Sequence, residues 1–486
     1  MTATAADDLA VHAGWLEEIE LGRWTSDCAR PLRFDSVSHE TEERVADHLR
    51  PSDVAEALEQ ARAAGSEPAG EPQRLALRSR SRPFLARSSA DQDRELDERH
   101  GASPAGGYES ALAGLDDPDD RTALYRRWQQ MEAELQSLRE ERAHARVEAC
   151  RCVGADSPRE LLAAEHPRAL QPLVESFERG AIAPLDKAVA AAALDRRRAA
   201  SSLLIDGEHP ADSPWLEWRT GALDPSARNL IAGLLRRVGP WVGADPDAGG
   251  PRLVTDCRVE ARSRLANPAS GPPVILLGAL GGVWGTALAL ARLGQAVRFG
   301  FLVETRGAAA ARWSDPAFPV AVQALYRRLP FSVAFRERFG LDWPPALLAA
   351  LRFQEAVAPR LGWAYLVEIM NGASEGRFSG IENVSAGETI RRATGRPATI
   401  RQLLEIAEGD PEGAAILRGT VLGLLVEERL LSRFGRDWVA APAAHRWLRG
   451  LWEAEPEQTA ESLALAADLG TIEPTPLLDG CRPMDR

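Results

Sequence analysis

Twenty consecutive residues without a charged side chain, from Pro272 to Ala291, place the strongest constraint on how this chain folds. A run of that length must be buried in a protein core or in a bilayer. It begins with Pro272 and Pro273, and glycines crowd its middle, including the Gly281-x-x-x-Gly285 spacing that is typical of paired membrane helices. We favour a buried strand that runs into a buried helix. A membrane span is the alternative.

The rest of the sequence is typical of a helical protein, because Ala, Leu, Arg and Glu dominate it. The clearest helix follows the acidic run Asp116–Asp120, whose charges suit a helix N-terminus. Beyond that run, apolar residues recur three and four positions apart, at Leu124, Trp128, Met131, Leu135 and Leu138.

A change in the spacing of apolar residues, from helical to alternating, indicates a small β insertion. Residues alternate in character from Leu253 to Val259, and the apolar run Val274–Leu277 follows. We therefore predict a mainly α fold with a small β insertion near residues 252–278. Two regions are expected: a helical N-terminal region over 1–200, and a second helical region over 201–486 that holds the insertion.

Composition excludes several classes of function. The chain has 486 residues with 71 acidic and 58 basic side chains, a formal net charge of −13, so we expect no affinity for nucleic acid or for anionic membranes. Lysine chemistry would have to use Lys187, the single lysine. Five scattered cysteines are not a disulfide framework, and residues Met1–Ala10 do not have the pattern of a signal peptide. We expect a cytoplasmic protein.

One glycine-rich segment is similar to a dinucleotide-binding turn. A strand would lead into the glycines, a helix would follow, and a second strand over Ala296–Val303 would end at Glu304, a partner for a ribose. An NAD-dependent oxidoreductase is therefore one alternative, although the glycine spacing differs from the usual pattern. The glycines concerned are Gly278, Gly281, Gly282 and Gly285.

A second resemblance covers more of the chain. It rests on VHAGWLEEIEL (Val11–Leu21), on the strand pair followed by Gly281-Gly282, and on ILRGTVLGLLVEERLLSRFGRDW (Ile416–Trp438) with HRWLRGLW (His445–Trp452). On these segments the chain resembles a diverged member of the helical zinc peptidases of the oligoendopeptidase F and thimet oligopeptidase type. The resemblance implies a large, two-lobed helical body whose active-site helix lies near residues 284–300.

In that family, an H-E-x-G-H motif on this helix binds Zn²⁺ through its two histidines, and its glutamate activates water. The resemblance places Ala291 at the first histidine, Arg292 at the glutamate and Gln295 at the second histidine, while Gly294 matches the family's glycine.

Two further family positions fall outside this helix. The third zinc ligand, a glutamate, would fall at Val320, and a late tyrosine that stabilises the reaction intermediate would fall near Glu412. Alanine and valine carry no donor atom, and arginine brings a positive charge to a cation site. The resemblance therefore implies a catalytically inactive pseudo-peptidase that holds no metal or cofactor and binds a peptide or protein.

An active zinc peptidase with displaced ligands is a further alternative, using Glu208 and His209, or His445. A retained peptide cleft would need polar and aromatic lining residues. Candidates for that lining are Arg360, Trp363 and Tyr365, and for the two aromatic residues a role in the core is the preferred interpretation.

Overall fold

A computed structural model describes the following residues, with a few single positions between them: 50–65, 71–89, 117–165, 170–180, 227–243, 250–255, 264–266, 272–277, 281–307, 314–370, 380–394 and 412–473. Helices account for most of these residues, so the predicted mainly α fold is confirmed. The boundary near residue 200, the segment Val11–Leu21 and Lys187 lie outside the described residues.

The first described helices form a group with a small core of their own. Asp117 caps α3, because its Oδ1 accepts a hydrogen bond from the amide of Asp119 at 2.7 Å. The helix predicted beyond this cap is two helices that meet at Leu135, and Trp128 and Leu138 lie on the predicted buried face. The helices are α1 (Pro51–Ala64), α2 (Glu71–Ser88), α3 (Pro118–Glu134), α4 (Gln136–Cys152) and α5 (Pro158–Glu165).

The predicted β insertion is confirmed as a three-stranded sheet in the order β1-β3-β2. Strand β1 pairs parallel to β3, and β2 pairs antiparallel to it. The sequence pattern did not indicate β2. In the chain, the sheet follows α6 (Leu170–Gly180) and α7 (Ala227–Val242) and precedes the longer helices. Its strands are β1 (Arg252–Val254), β2 (Arg264–Ala266) and β3 (Val274–Leu276).

The uncharged run forms a buried strand, β3, followed by a long helix, α8 (Gly282–Arg306). This is the arrangement that the sequence favoured over a membrane span. Helix α8 is long and apolar enough to cross a bilayer by length and composition, but 67% of its most apolar window is buried inside the protein. The helix therefore forms part of the core.

The strand expected over Ala296–Val303 is wrong, because those residues continue α8. The amide of Gly285 donates to the carbonyl of Gly281 at 3.0 Å, as in a helix, and Glu304 is exposed on the last turn. Four consecutive residues, Ala296–Phe299, are buried, so burial does not alternate along this segment as it would in a half-buried strand. Without the second strand, residues 281–306 do not form a dinucleotide-binding unit, so that alternative is not supported.

The remaining helices occupy the part of the chain that follows α8. Short 3₁₀ turns over Leu329–Phe331, Trp438–Ala440 and Glu455–Glu457 connect some of these helices. The helices are α9 (Ala317–Arg327), α10 (Val333–Phe339), α11 (Pro345–Met370), α12 (Gly380–Thr394), α13 (Glu412–Phe434), α14 (Pro442–Ala454) and α15 (Ala460–Ala466).

Helix α13 packs closely against α9 because it carries glycines at the contact. A Cβ atom at Gly419 would lie 2.5 Å from the carbonyl oxygen of Ala317, and one at Gly423 would lie 2.6 Å from that of Ala321. No side chain fits in such a gap, so small residues set the distance between these two helices. Together with α8 they form the centre of the main core.

Candidate functional site

Helix α8 carries the three positions that the resemblance assigns to the metal motif. Ala291 is buried, and Gln295 lies one turn later and is half buried. Arg292 is also half buried, and its Nη1 donates a hydrogen bond to Oε1 of Gln295 at 2.7 Å. Two of the three positions are therefore bonded to each other.

Gly294, the one motif residue that matches the family, has a packing role. A Cβ atom at this position would lie 2.5 Å from Cγ and Cδ2 of Tyr326 on α9. Tyr326 is fully buried, and burial raises the pKa of its phenol. Its ring meets Trp438 edge-on, with centroids 6.3 Å apart. The glycine is needed for contact between α8 and α9 whether or not a metal is bound.

The two positions outside α8 lie on other helices. Val320 lies on α9, and its side chain packs toward α13, since a Cβ atom at Gly419 would come within 2.6 Å of its Cβ. Glu412 is the first residue of α13.

The side chains at these positions do not fit a zinc ion. Ala291 and Val320 have no donor atom, the amide of Gln295 is a neutral and weak ligand, and Arg292 places a guanidinium where the family has a carboxylate. Within the described parts of the chain, no group of three His, Cys, Asp or Glu residues is arranged to hold a metal ion.

The displaced-ligand alternative receives no support from His445. This residue is buried, and its Nε2 lies 2.7 Å from the carbonyl oxygen of Val439. A carbonyl can only accept, so we assign the proton to Nε2, which then has no lone pair for a metal. Burial lowers the pKa of this imidazole. Glu208 and His209 lie outside the described residues.

The three cleft candidates lie in the core. Trp363 is 1% exposed, and its Nε1 donates to the carbonyl of Val174 at 3.3 Å. Arg360 is fully buried, and its Nη1 donates to the carbonyl of Ala393 at 2.7 Å. Tyr365 is also buried. The preferred interpretation of the two aromatic residues as core residues is therefore confirmed, and Arg360 is buried with them instead of lining an open cleft.

Buried ion pairs tie the helices around α9 together, and the sequence analysis missed them. Arg327 lies 2.5 Å from Glu355 on α11, and Arg328 lies 2.6 Å from Glu427 on α13. Burial raises the pKa of Glu355, against the opposing effect of Arg327. Arg328 also lies over the ring of Phe331, 5.5 Å from its centroid. The partners are far apart in sequence, so no local spacing indicates them.

The sequence matches no family model and no curated protein. The fold, however, is that of several solved peptidases. An oligoendopeptidase F-type protein from Bacillus anthracis superposes with a TM-score of 0.58 at 12% identity, over 94% of this chain and 84% of that one. PZ peptidase A, solved with an inhibitor, gives 0.56 at 11% identity, over 92% and 83%. The Pyrococcus furiosus carboxypeptidase gives 0.55 at 14% identity, over 99% and 98%.

These matches confirm the fold expected from the resemblance. Identities of this size establish shared architecture alone, because function is carried by the residues of a site.

Proposed function

We propose that this chain, which has the fold of the oligoendopeptidase F-type peptidases, is a catalytically inactive member of that structural group and binds a peptide or protein. The observation that carries the proposal is the set of side chains at Ala291, Arg292 and Gln295, where a zinc peptidase needs two histidines and a glutamate.

The contrast with Gly294 supports the proposal. The family's glycine, which has a packing role here, is present as Gly294, while the positions of the two histidines and the catalytic glutamate hold Ala291, Gln295 and Arg292. That pattern is expected when selection maintains a fold after catalytic activity has been lost. Neither the oxidoreductase nor the displaced-ligand peptidase is favoured.

Peptide hydrolysis tests the loss of activity. We expect no cleavage of an internally quenched peptide pool by the full chain, with or without added Zn²⁺, because no bound water is activated. PZ peptidase A assayed in parallel shows that the pool can be cleaved, and a cooperative thermal transition shows that the chain is folded. Cleavage that EDTA abolishes would overturn the proposal.

Arg292 suggests the chemistry of the bound partner. It places a half-buried guanidinium at the former site, and a guanidinium recognises carboxylates in a planar, paired geometry. We therefore propose that the retained site binds an acidic peptide.

Fluorescence anisotropy with labelled peptides tests this assignment. Acidic peptides should bind more tightly than neutral peptides of the same length, and Arg292→Ala should weaken that binding about tenfold or more. Arg306→Ala is the matched control, because Arg306 lies on the same helix, is exposed and pairs only loosely with Glu457, at 3.4 Å. Equal affinity in Arg292→Ala and wild type would remove the assignment. Failure of every peptide to bind would remove the peptide-binding role.

A further inference from the structure

Five charged side chains join the C-terminal segment to α8 and α13, and four of them are almost completely buried. We call this group the C-terminal clasp. It consists of Arg298, Asp315, Arg418, Glu455 and Glu461.

Arg418, on α13, is the centre of one half of the clasp. Its Nη1 and Nη2 donate to the two carboxylate oxygens of Asp315, at 3.0 and 2.6 Å. Its Nε and Nη2 donate to Glu461, both at 2.6 Å. Asp315 also accepts from the amides of Ala317 and Ala460, at 3.0 and 3.1 Å. Both carboxylates in this half are therefore well supplied with donors.

The other half of the clasp, around Arg298 and Glu455, has fewer hydrogen-bond donors. Arg298, on α8, donates from Nε to Glu455 at 2.6 Å and from Nη2 to the hydroxyl of Ser314 at 2.5 Å. The side chains of Arg298 and Glu455 are 4% and 3% exposed. Ser314 precedes Asp315 in the chain, so the two halves form one continuous cluster.

The charges of the clasp do not balance when every group is ionised. The five side chains comprise three carboxylates and two guanidinium groups, an excess of one negative charge, and excess charge in a protein interior is costly. One added proton makes the cluster neutral. Glu455 is the natural place for it, because it is buried and accepts a single one of these charged hydrogen bonds.

We propose that the C-terminal clasp holds one proton while it is closed, and that release of this proton promotes detachment of the segment Glu455–Ala466 from α8.

The electrostatic environment of Glu455 supports the proposal. Burial raises the pKa of Glu455 to about 7, the Arg298 guanidinium opposes that rise, and Asp315 adds to it. On the same turn, Glu457 pairs with Arg306 of α8 at 3.4 Å.

Two further elements pack near Glu455. Helix α2 contacts the 3₁₀ turn that begins at Glu455. On that helix, Arg74 donates to the carbonyl of Gly65 at 2.8 Å, and Arg80 donates to the carbonyl of Asp53 at 3.1 Å. A third arginine, Arg87, is exposed. On α14, Arg449 lies over the ring of Phe301, 5.9 Å from its centroid.

The sign of the pH dependence follows from linkage. A carboxyl group whose pKa is raised in the closed state loses a proton when the segment opens, so opening becomes more favourable as pH rises. With pKa values of 4.5 in the open segment and about 7 in the closed one, the opening equilibrium should increase roughly 40-fold between pH 5 and pH 7 and level off above pH 8.

Amide hydrogen exchange of the full chain tests the proposal. Protection factors, corrected for intrinsic exchange, should fall between pH 5 and pH 7 in the segment Glu455–Ala466, while α1, in its separate small core, should show no matching fall. Glu455→Gln resembles the protonated form and should flatten the curve. Glu457→Gln, on the same turn but 73% exposed, should keep the wild-type curve.

Several outcomes would overturn the proposal. One is a pH curve in Glu455→Gln parallel to that of wild type. Two others need only the wild-type protein: protection factors in Glu455–Ala466 that do not change with pH, or protection factors in α1 that fall equally. The wild-type comparison of regions decides the question even if Glu455→Gln does not fold.

Discussion

The two halves of α8 hold their polar side chains in different ways. In the site segment Ala291–Gln295, Arg292 is half buried and bonds to Gln295 on the same helix. In the following segment, Arg298 is buried and bonds to Glu455, 157 positions later in the chain. A polar residue that ties distant elements together cannot change without cost to the fold, whereas a residue bonded within its own turn can.

Under the proposed function, this difference indicates how catalytic residues could be replaced while the fold persisted. Arg292 and Gln295, two of the positions assigned to the metal motif, bond to each other on the same helix. Gly294, which lies between them, and Arg298 contact other elements. We infer that stability constrains Gly294 and Arg298 more strongly than it constrains Gln295.

The largest expected effect on stability comes from Arg298. Replacing it with alanine leaves Glu455 buried without its partner, which should cost about 3 kcal/mol of unfolding free energy at pH 8. Urea denaturation measures this. In the Glu455→Gln background, the same change should cost clearly less, because no buried charge is left behind. A loss below about 1 kcal/mol in Arg298→Ala would break the comparison between the two halves.

Gly294→Ala should have the next largest effect. The new methyl group would lie 2.5 Å from the Tyr326 ring, and overpacking of this kind costs about 1–3 kcal/mol. Gly300→Ala is the matched control on the same helix, because its nearest neighbour, Pro273, would lie at an ordinary 3.9 Å. Helix propensity should make that control neutral or stabilising by up to about 1 kcal/mol. Equal melting temperatures for the two variants would contradict this assignment of Gly294.

The smallest effect is expected at Gln295. Gln295→Ala removes a hydrogen bond between half-buried neighbours and should change the unfolding free energy by about 0.5 kcal/mol or less. The measurement is the same denaturation experiment. A loss comparable to that of Arg298→Ala would show that Gln295 is as constrained as Arg298, and the distinction between these two polar residues would fail.

Local sequence patterns predicted much of the fold. The uncharged run predicted the strand β3 and the helix α8, and the acidic run Asp116–Asp120 marked the start of α3. These features depend on residues close in the chain. The strand expected over Ala296–Val303 is wrong because a helix buried on most sides lacks a clear apolar stripe, so its period is hard to distinguish from that of a strand.

Long-range contacts could not be predicted in this way. Gly294 contacts Tyr326, and Arg298 pairs with Glu455. Because the partners are distant in sequence, no spacing rule predicts these contacts. The sequence identified which donors are missing from the assigned metal positions. It gave no sign that Arg292 and Gln295 bond to each other, a contact that depends on rotamers as well as on spacing.

Zinc content is the most direct test of the central claim that α8 has kept its architecture and lost its metal ligands. The full chain should be expressed with zinc supplied, purified without chelator and measured by elemental analysis. We predict zinc far below one atom per chain, and no change in melting temperature when EDTA is added, since no metal stabilises the fold. One zinc atom per chain, removed by EDTA with a fall in melting temperature, would contradict the account.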